Sequence, residues 1–370
     1  MKLRKLAAIL SALVMVTAAA AGCSSEKEEE PAKQTEVTTE AKEEKTEEVK
    51  TEAEEVKEET KETAETEIVI DDKPVKVALL KGPTGIGAAA LMKESAEGNT
   101  KLNYNFFTEA APEDVISKVI SGDVQIAAIP TNAASALYNK TEGGIEILAL
   151  NTMGTLYLLE RGETINSLAD LSGKTIYSTG QGAVPEYVFK YILAEGGAEN
   201  VTVEYMQTHQ ELAAALASGQ VDNALLPEPY VEIALNKAAD ARVALDIAQC
   251  YDEVTGFDKG DMPNTLPMGC VIARKDFVEN NADKVKVFLD EYKASIESAE
   301  DAAKTAEYVV EFGIIENQAV AEKAIPKCSI YYIDGEEMKS LMTSFLEVLF
   351  NANPKAIGGK LPADDFYYLP

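Results

Sequence analysis

Short apolar runs alternate with amphipathic stretches through most of the chain from residue 68 onward. The first of them predict strands at Val75–Leu80 and 102–107, separated by a turn at 82–87 that opens a helix ending near Ser95. Short strands that alternate with helices are typical of parallel sheets flanked by helices. The pattern therefore predicts an α/β fold.

The same alternation continues through the rest of the chain. The C-terminal stretch 275–370 is mostly helical by pattern, and 336–350 is its clearest amphipathic helix. The other predicted elements are the helices Pro112–Ser121, 185–194 and 211–218 and the strands 124–129, 174–178, 201–206 and 223–226.

An internal repeat links two parts of this pattern. The segment 121–124 (Ser-Gly-Asp-Val) is echoed 97 residues later by 218–221 (Ser-Gly-Gln-Val), and 128–130 (Ala-Ile-Pro) by 225–227 (Leu-Leu-Pro). Ser-Gly after a helix is also a common C-cap, so chance is the alternative. Several elements in one register favour a real repeat, which predicts two similar α/β lobes.

Two further segments resemble each other and suggest where the chain passes between the lobes. Residues 152–154 (Thr-Met-Gly) precede an apolar run at 155–159, and residues 267–269 (Pro-Met-Gly) precede another at 270–273. We interpret them as two crossing strands. The predicted organisation is lobe I at 68–154 plus 268–370, with the helical C-terminal part on this lobe, and lobe II at 155–267.

The N-terminal residues have the pattern of an export signal. Lys2, Arg4 and Lys5 precede an apolar run at 6–21, and small residues lead to Cys23. This run is shorter than the roughly 20 residues that a membrane-spanning helix needs, so a retained transmembrane anchor is the weaker alternative. Residues 20–23 (Ala-Ala-Gly-Cys) resemble a bacterial lipobox, which implies a signal peptide at 1–23 and lipidation, including a palmitate chain, at Cys23. An ordinary signal-peptidase site is the alternative.

Composition separates a linker from the folded part. Residues 24–67 contain 18 Glu and 7 Lys and no aromatic residue, so they cannot bury a core and are expected to form a disordered acidic linker. The net charge of the whole chain is −29. Such a charge repels nucleic acid and favours solubility.

Metal and nucleophile chemistry has little support in the sequence. The chain has one histidine, His209, and the other cysteines, Cys250, Cys270 and Cys328, form no Cys-x-x-Cys pair. One disulfide among the three is open. His209 stands at a predicted helix start, where a surface or capping role is favoured over catalysis. We expect no catalytic residue, no metal and no cofactor.

The predicted ligand site combines turns that follow strands, because ligands of open α/β sheets bind at the carboxyl ends of the strands. The turn 81–87 has neither the Walker nor the dinucleotide-binding spacing. A tight turn without a ligand is the alternative there, and a rigid helix-entry turn is the alternative at 227–230. The candidate ligand-binding residues are Pro83, Thr84, Gly85, Ile86, Thr131, Asn132, Met153, Gly154, Thr179, Gln181, Gly182, Ala183, Glu228 and Tyr230.

The residue types limit the class of ligand. After the signal region the chain has only Arg161, Arg242 and Arg274, so a bidentate arginine clamp on an anion is not obvious. Anion binding by helix N-termini alone stays open. Glu228 fits better with a neutral or amine-bearing ligand, and the absence of Trp lowers the case for a sugar.

Several segments together resemble the type II periplasmic solute-binding proteins of ABC importers, in the branch that includes nitrate, sulfonate, taurine and thiamine-precursor binders. They cover nearly all of 75–368 and do not specify the ligand. The segments are the lipobox, 81–87, 168–176 (Leu-Ala-Asp-Leu-Ser-Gly-Lys-Thr-Ile), 215–222 (Ala-Leu-Ala-Ser-Gly-Gln-Val-Asp), 225–230 and 353–362.

The resemblance implies a two-lobed clamshell with two crossover strands that closes on a small polar or heterocyclic solute. It also implies a monomer, lipid-anchored at the extracytoplasmic face of a bacterial membrane, that delivers the solute to ABC permease and ATPase subunits. The alternatives are a chorismate-dehydratase-like enzyme on the same fold and a surface sensor or adhesion lipoprotein. The export signal argues against a cytosolic enzyme.

Overall fold

A computed structural model describes residues 71–370 of the chain. The predicted signal peptide 1–23, the lipidation site Cys23 and the linker 24–67 lie outside these residues. No helix within 71–370 combines the length and the apolar character needed to cross a bilayer.

The described residues form strands and helices in alternation through most of the chain. The strands are β1 (Val75–Leu80), β2 (Tyr104–Glu109), β3 (Ile126–Pro130), β4 (Ile145–Thr152), β5 (Leu156–Arg161), β6 (Thr175–Ser178), β7 (Thr202–Tyr205), β8 (Asn223–Pro227), β9 (Ala241–Asp246), β10 (Gly269–Arg274) and β11 (Ile330–Ile333).

The helices follow and separate these strands, and they dominate the C-terminal part. They are α1 (Pro83–Ile86), α2 (Ala89–Glu97), α3 (Pro112–Ser121), α4 (Thr131–Lys140), α5 (Val184–Glu195), α6 (His209–Ser218), α7 (Tyr230–Leu235), α8 (Ile247–Thr255), α9 (Lys275–Asn280), α10 (Ala282–Glu297), α11 (Ala302–Glu311), α12 (Gln318–Ala324) and α13 (Gly335–Ala352).

The strands separate into a large sheet and a smaller group. The large sheet has the order β11-β4-β10-β3-β1-β2, and the smaller group consists of β8-β5-β9 and the pair β6-β7. Side-chain bonds of Asn223 on β8 join the two parts of the smaller group, because its amide contacts the backbone of Thr175 and Tyr177 on β6. The chain leaves the large sheet after Thr152 and returns to it at Gly269.

The prediction of parallel sheets is only partly right. Strand β1 pairs in parallel with β2 and β3, and β6 with β7, as expected. Strands β4, β5 and β10 pair antiparallel with their neighbours. These are the strands next to the two passages between sheets. A strand that enters a sheet at the edge where the carboxyl ends of the other strands lie must run against them, as β10 does in the large sheet and β5 in the smaller group.

The internal repeat is confirmed in detail. Helices α3 and α6 end at glycines with positive φ, Gly122 at 80° and Gly219 at 73°, which a left-handed C-cap requires. Arg274 donates to the carbonyl of Val119 at 2.9 Å, and Arg161 donates to that of Leu216, 97 residues later, at 3.0 Å. Each arginine supplies positive charge to the last turn of its helix.

Two details differ from the element predictions. The predicted turn 82–87 contains the short helix α1, and the helix expected after it is found as α2, which ends at Glu97. Helix α10 packs against the junction between α1 and α2. A Cβ on Gly87 would lie 2.8 Å from Ile296 Cγ1. The helical C-terminal part also contains the short strand β11, which the sequence pattern did not predict. Cys250, Cys270 and Cys328 are buried free thiols, which answers the disulfide question for the described residues.

Candidate functional site

The carboxyl ends of β6, β7 and β8 meet around one histidine. His209 begins α6, which follows β7, and its Nδ1 lies 2.5 Å from the hydroxyl of Thr179, which follows β6. Its ring lies 5.0 Å from the ring of Tyr230, which follows β8. The structure therefore brings together two predicted site residues, Thr179 and Tyr230, through a residue that was not predicted as part of the site.

His209 is partly buried and does not cap its helix. The capping oxygen belongs to Thr208, which accepts a hydrogen bond from the amide of Glu211 at 3.1 Å. Burial lowers the pKa of His209 below its usual range, which favours the neutral form of its imidazole. A neutral ring can accept at one nitrogen and donate at the other, which suits a polar binding surface.

The turn after Thr179 leads into helix α5, and a backbone amide at the start of this helix already has a partner within the chain. Gln181 and Gly182 are exposed, and Ala183 is half-buried just before α5. The amide of Gly182 donates to Glu186 Oε2 at 2.6 Å. Burial opposes the charge of Glu186, but bonds from Lys190 and Gly182 outweigh it and lower its pKa. The partial positive charge of this helix end is therefore met by the chain's own carboxylate.

The corresponding turn of the large sheet is packed more tightly. Pro83 and Thr84 are half-buried, whereas Gly85 and Ile86 are buried. A Cβ on Gly85 would lie 2.5 Å from the carbonyl oxygen of Leu80, so glycine is needed for space. Gly85 and Ile86 support the turn, and Pro83 and Thr84 stay the more accessible candidates among the four.

Thr131 and Asn132 follow β3 at the same edge of the large sheet, and both already have partners. The buried hydroxyl of Thr131 donates to the carbonyl of Pro267 at 2.9 Å. The amide of Asn132 donates to the carbonyl of Ala356 at 3.4 Å. Both bonds tie the end of β3 to distant parts of the same chain, so neither group needs a ligand to be satisfied.

The first passage between the sheets contains Met153 and Gly154, both buried. The amide of Met153 donates to the carbonyl of Ser329 at 2.9 Å, and that of Gly154 donates to Asn264 Oδ1, also at 2.9 Å. Asn264 lies just before the return passage. Its side chain therefore joins the two passages, a role that the sequence analysis missed.

Contacts from α7 reach a turn next to the large sheet. Glu232 of α7 forms an ion pair with Lys327, and the hydroxyl of Tyr157 on β5 donates to the carbonyl of Lys327 at 3.0 Å. On another side, the amide of Asn353 after α13 donates to the hydroxyl of Tyr187 on α5 at 2.9 Å. These bonds hold the two groups of strands against each other.

Glu228 lies where these contacts converge. Its amide donates to the carbonyl of Thr155 beside the first passage, and its side chain is only 1% exposed. Oε2 accepts a hydrogen bond from the amide of Glu232 at 3.3 Å, while Oε1 has no partner within residues 71–370. Burial raises the pKa of Glu228 to about 7. It is the one predicted site residue described here that carries a buried, unsatisfied polar atom.

Thr84 connects to the same region through the large sheet. The side-chain amide of Asn151, near the end of β4, donates to the carbonyl of Thr84 at 3.1 Å and to the hydroxyl of Tyr292 at 2.9 Å. Asn151 lies two residues before Met153, at the first passage.

A separate groove of about 300 Å³ is formed by α2, α10 and α11. None of the predicted site residues lines it.

A family model and several solved structures match this fold. The model described as NMT1/THI5 like matches residues 102–306. The crystal structure of an ABC transporter from Parabacteroides distasonis is 26% identical, with a TM-score of 0.67, over 81% of this chain and 99% of that one. No curated protein sequence matches.

Two more distant structures share the fold. The periplasmic aliphatic sulphonate-binding protein SsuA from Escherichia coli is 14% identical, with a TM-score of 0.62, over 81% of this chain and 93% of that one. The periplasmic nitrate-binding protein NrtA from Synechocystis PCC 6803 is 16% identical, with a TM-score of 0.52, over 79% and 83%. The family model spans more than half of the sequence, so this chain belongs to the NMT1/THI5 like family and has its two-lobed α/β fold.

Proposed function

We propose that this protein is the extracytoplasmic solute-binding component of an ABC-type importer and holds a small polar or heterocyclic molecule between its lobes. It acts as a monomer and delivers the solute to permease and ATPase subunits. The observation that carries the proposal is the double passage of the chain between two groups of strands, with Thr179, Glu228 and Tyr230 at the strand ends. The sulphonate-binding and nitrate-binding proteins above support it.

The proposal assigns lobe I to 68–154 plus 268–370 and lobe II to 155–267. A solute that contacts both lobes shifts the balance from an open to a closed arrangement, by as much as it binds the closed one better. In this structure, the ion pair between Glu232 and Lys327 and the bond between Tyr157 and Lys327 join residues of the two proposed lobes.

A binding role suits the described side chains better than catalysis does. Burial raises the pKa of Cys250 to about 12, and the thiols of Cys270 and Cys328 are buried and shifted in the same direction. Protonated thiols are poor nucleophiles. His209 contacts a hydroxyl and an aromatic ring, which suits orientation of a ligand.

A metabolite screen by thermal unfolding tests the function. A solute at a hundredfold excess over its Kd is expected to add about 2.7 kcal/mol to the free energy of unfolding, because it binds only the folded protein. Each compound is compared with a salt of equal ionic strength, since the chain carries a charge of −29. If no imported class of metabolite raises the unfolding temperature, the proposed function is wrong.

We also propose that Cys23 carries the lipid anchor, with residues 24–67 as the tether. Cys23→Ser is expected to move the protein from the membrane fraction to the soluble exported fraction, because the acyl chains supply the binding energy. Cell fractionation measures this, and Ser24→Ala is the control that keeps its anchor. If Cys23→Ser still sediments with membranes, the leader is a retained transmembrane segment.

A further inference from the structure

The first passage between the lobes changes sides within a single peptide unit. The amide of Met153 donates to the carbonyl of Ser329, which stands just before β11 of the large sheet. The amide of the next residue, Gly154, donates instead to Asn264 Oδ1 at 2.9 Å. Met153 is therefore held by lobe I, and Gly154 is held by the segment that precedes the return passage.

The return passage changes sides over a similarly short distance. The amide and the hydroxyl of Thr265 both donate to Asp252 Oδ1 of α8, at 2.8 Å and 2.6 Å, which fixes Thr265 to lobe II. The carbonyl of Pro267 accepts from the hydroxyl of Thr131 at the end of β3, which fixes Pro267 to lobe I. Leu266 is buried and lies between these two sets of bonds.

One side chain joins the two passages. Asn264 Oδ1 accepts from the amide of Gly154 and also from the amide of Leu266, at 2.9 Å and 3.1 Å. Asn264 is only 6% exposed, and a buried amide that loses its acceptor costs free energy, so we expect both bonds to persist in every arrangement of the lobes. Because the two bonds share one oxygen atom, neither passage can leave Asn264 without disturbing the other.

Lobe I meets this junction at a residue with an uncommon backbone conformation. Ser329 has a φ of 46°, in the left-handed region that residues other than glycine seldom adopt. Its carbonyl accepts from Met153, and its hydroxyl accepts from Asn264 Nδ2 at 3.4 Å, so it contacts both sides of the change between lobes. Strained residues persist where surrounding contacts fix them, and they cluster at sites that switch between arrangements.

We propose that Asn264 makes the two passages act as one hinge, so that the lobes rotate about a single axis through the Met153–Gly154 peptide and Leu266, with Ser329 as the contact on lobe I. The inference rests on the proposed function for the movement itself and adds which residues carry it. An axis fixed at two points allows rotation in one plane and resists twisting of one lobe against the other. The turns after β1 and β6 then meet in the same register each time the lobes close.

The test measures the distance between the lobes. Ser117 on α3 and Ala214 on α6 are exposed and related by the 97-residue repeat, so both are replaced with Cys and spin-labelled in the soluble Cys23→Ser chain. The other three thiols are buried. Double electron–electron resonance is expected to give at most two narrow distance populations, one for each arrangement of the lobes. Asn264→Ala is expected to broaden each population by about twofold, because the lobes gain a twisting motion.

Two further variants separate this role from a general loss of stability. Asn223→Ala removes an amide that also makes two backbone bonds, to Thr175 and Tyr177, but within the smaller group of strands. It is expected to leave the width of the distance populations unchanged. Asn264→Asp keeps an acceptor oxygen for both passages and a partner for the hydroxyl of Ser329, which can donate to it. It is expected to retain the narrow populations.

Hydrogen exchange tests the shared acceptor without a change at Asn264. The amides of Gly154 and Leu266 are expected to open with the same free energy, because both are released only when the side chain of Asn264 moves. Exchange of the two amides in the Cys23→Ser chain, followed by NMR, measures this. Different opening free energies would mean that the passages move independently.

Two distance results overturn the inference. One is a distribution in Asn264→Ala as narrow as that of the chain with Asn264 intact, and the other is an equal broadening in Asn223→Ala. If Asn264→Ala does not fold, the exchange of Gly154 and Leu266 decides, and unequal opening free energies overturn the inference. Both measurements are made without a solute. Failure of the metabolite screen therefore rejects the proposed function, whereas failure of these measurements rejects the hinge alone.

Discussion

Replacing Glu228 with Gln is expected to stabilise the free protein, by an amount that grows by about 3 kcal/mol between pH 4 and pH 8. Burial raises the pKa of this carboxyl group from 4.5 to about 7 in the folded state. The folded protein therefore holds a proton that the unfolded chain releases between these values. Stability contributed by that proton is complete below pH 4.5 and is lost as the pH rises through 7.

Denaturant unfolding of the wild type and of Glu228→Gln at several pH values measures the difference in their free energies of unfolding. Glu160→Gln is the matched control, and its effect on stability is expected to depend on pH with the opposite sign. Burial of Glu160 is outweighed by hydrogen bonds from Thr164 and Ile165 and by Arg242, so its pKa is lowered. Its contribution is present above the unfolded pKa and is lost as the pH falls through the folded value. Glu160→Gln is therefore expected to destabilise the protein at pH 8.

If the free energies of unfolding of wild type and Glu228→Gln differ by the same amount at every pH, Glu228 has a partner in the folded protein. A ligand would then find no unsatisfied carboxylate oxygen to bind. The expected slope instead means that the free protein is less stable with the carboxylate than with an amide. Proteins retain such residues at sites where binding requires them.

The parts of the fold that depend on local pattern were predictable from the sequence. Helix α3 is found with the predicted bounds, Pro112–Ser121, because Pro112 opens it and Gly122 closes it. The same pattern predicted the second helix of this kind, α6, and the strand β8, and the repeat aligned them with α3 and β3. Glycine C-caps, proline at helix starts and apolar periodicity act within a few residues, so they can be recognised in the sequence without knowledge of the tertiary structure.

The direction of the strands beside the passages was not predictable in this way. Whether β10 runs parallel or antiparallel to β3 depends on which edge the chain crosses, and no local pattern records that. Strand β11 has only four residues and pairs with β4. Its partner lies about 180 residues earlier in the chain.

The candidate site was predicted in outline but not in its contacts. The rule that places ligand residues after strands selected Thr179 and Glu228, and the same rule applied to β7 would have selected His209. The hydrogen bond from Thr131 to Pro267 spans 136 residues, so the sequence near Thr131 could not predict that its hydroxyl already has a partner. The unsatisfied oxygen of Glu228 is likewise a tertiary property, set by what α7 and the turn near Lys327 leave unpaired.

Gly154→Ala is expected to lower the free energy of unfolding by about 3 kcal/mol, at the upper end of the usual cost of overpacking a core. Gly154 was predicted as a ligand-binding residue, and the structure gives a different reason for a glycine there. A Cβ at this position would lie 2.3 Å from the Cβ of Ala248 and 3.1 Å from Asn264 Oδ1. Helix α8 therefore presses directly on the first passage between the lobes.

A second substitution tests this explanation. Ala248→Gly removes the nearest atom and by itself costs about 1 kcal/mol, the usual price of glycine within a helix. If steric overlap is the cause, the double variant is more stable than Gly154→Ala alone, with a coupling of about 2 kcal/mol. Additive losses would mean that the cost does not arise from the contact with Ala248 but from another neighbour, such as Asn264. Relief by Ala248→Gly would mean that close packing of α8 fixes the path of the chain between the lobes.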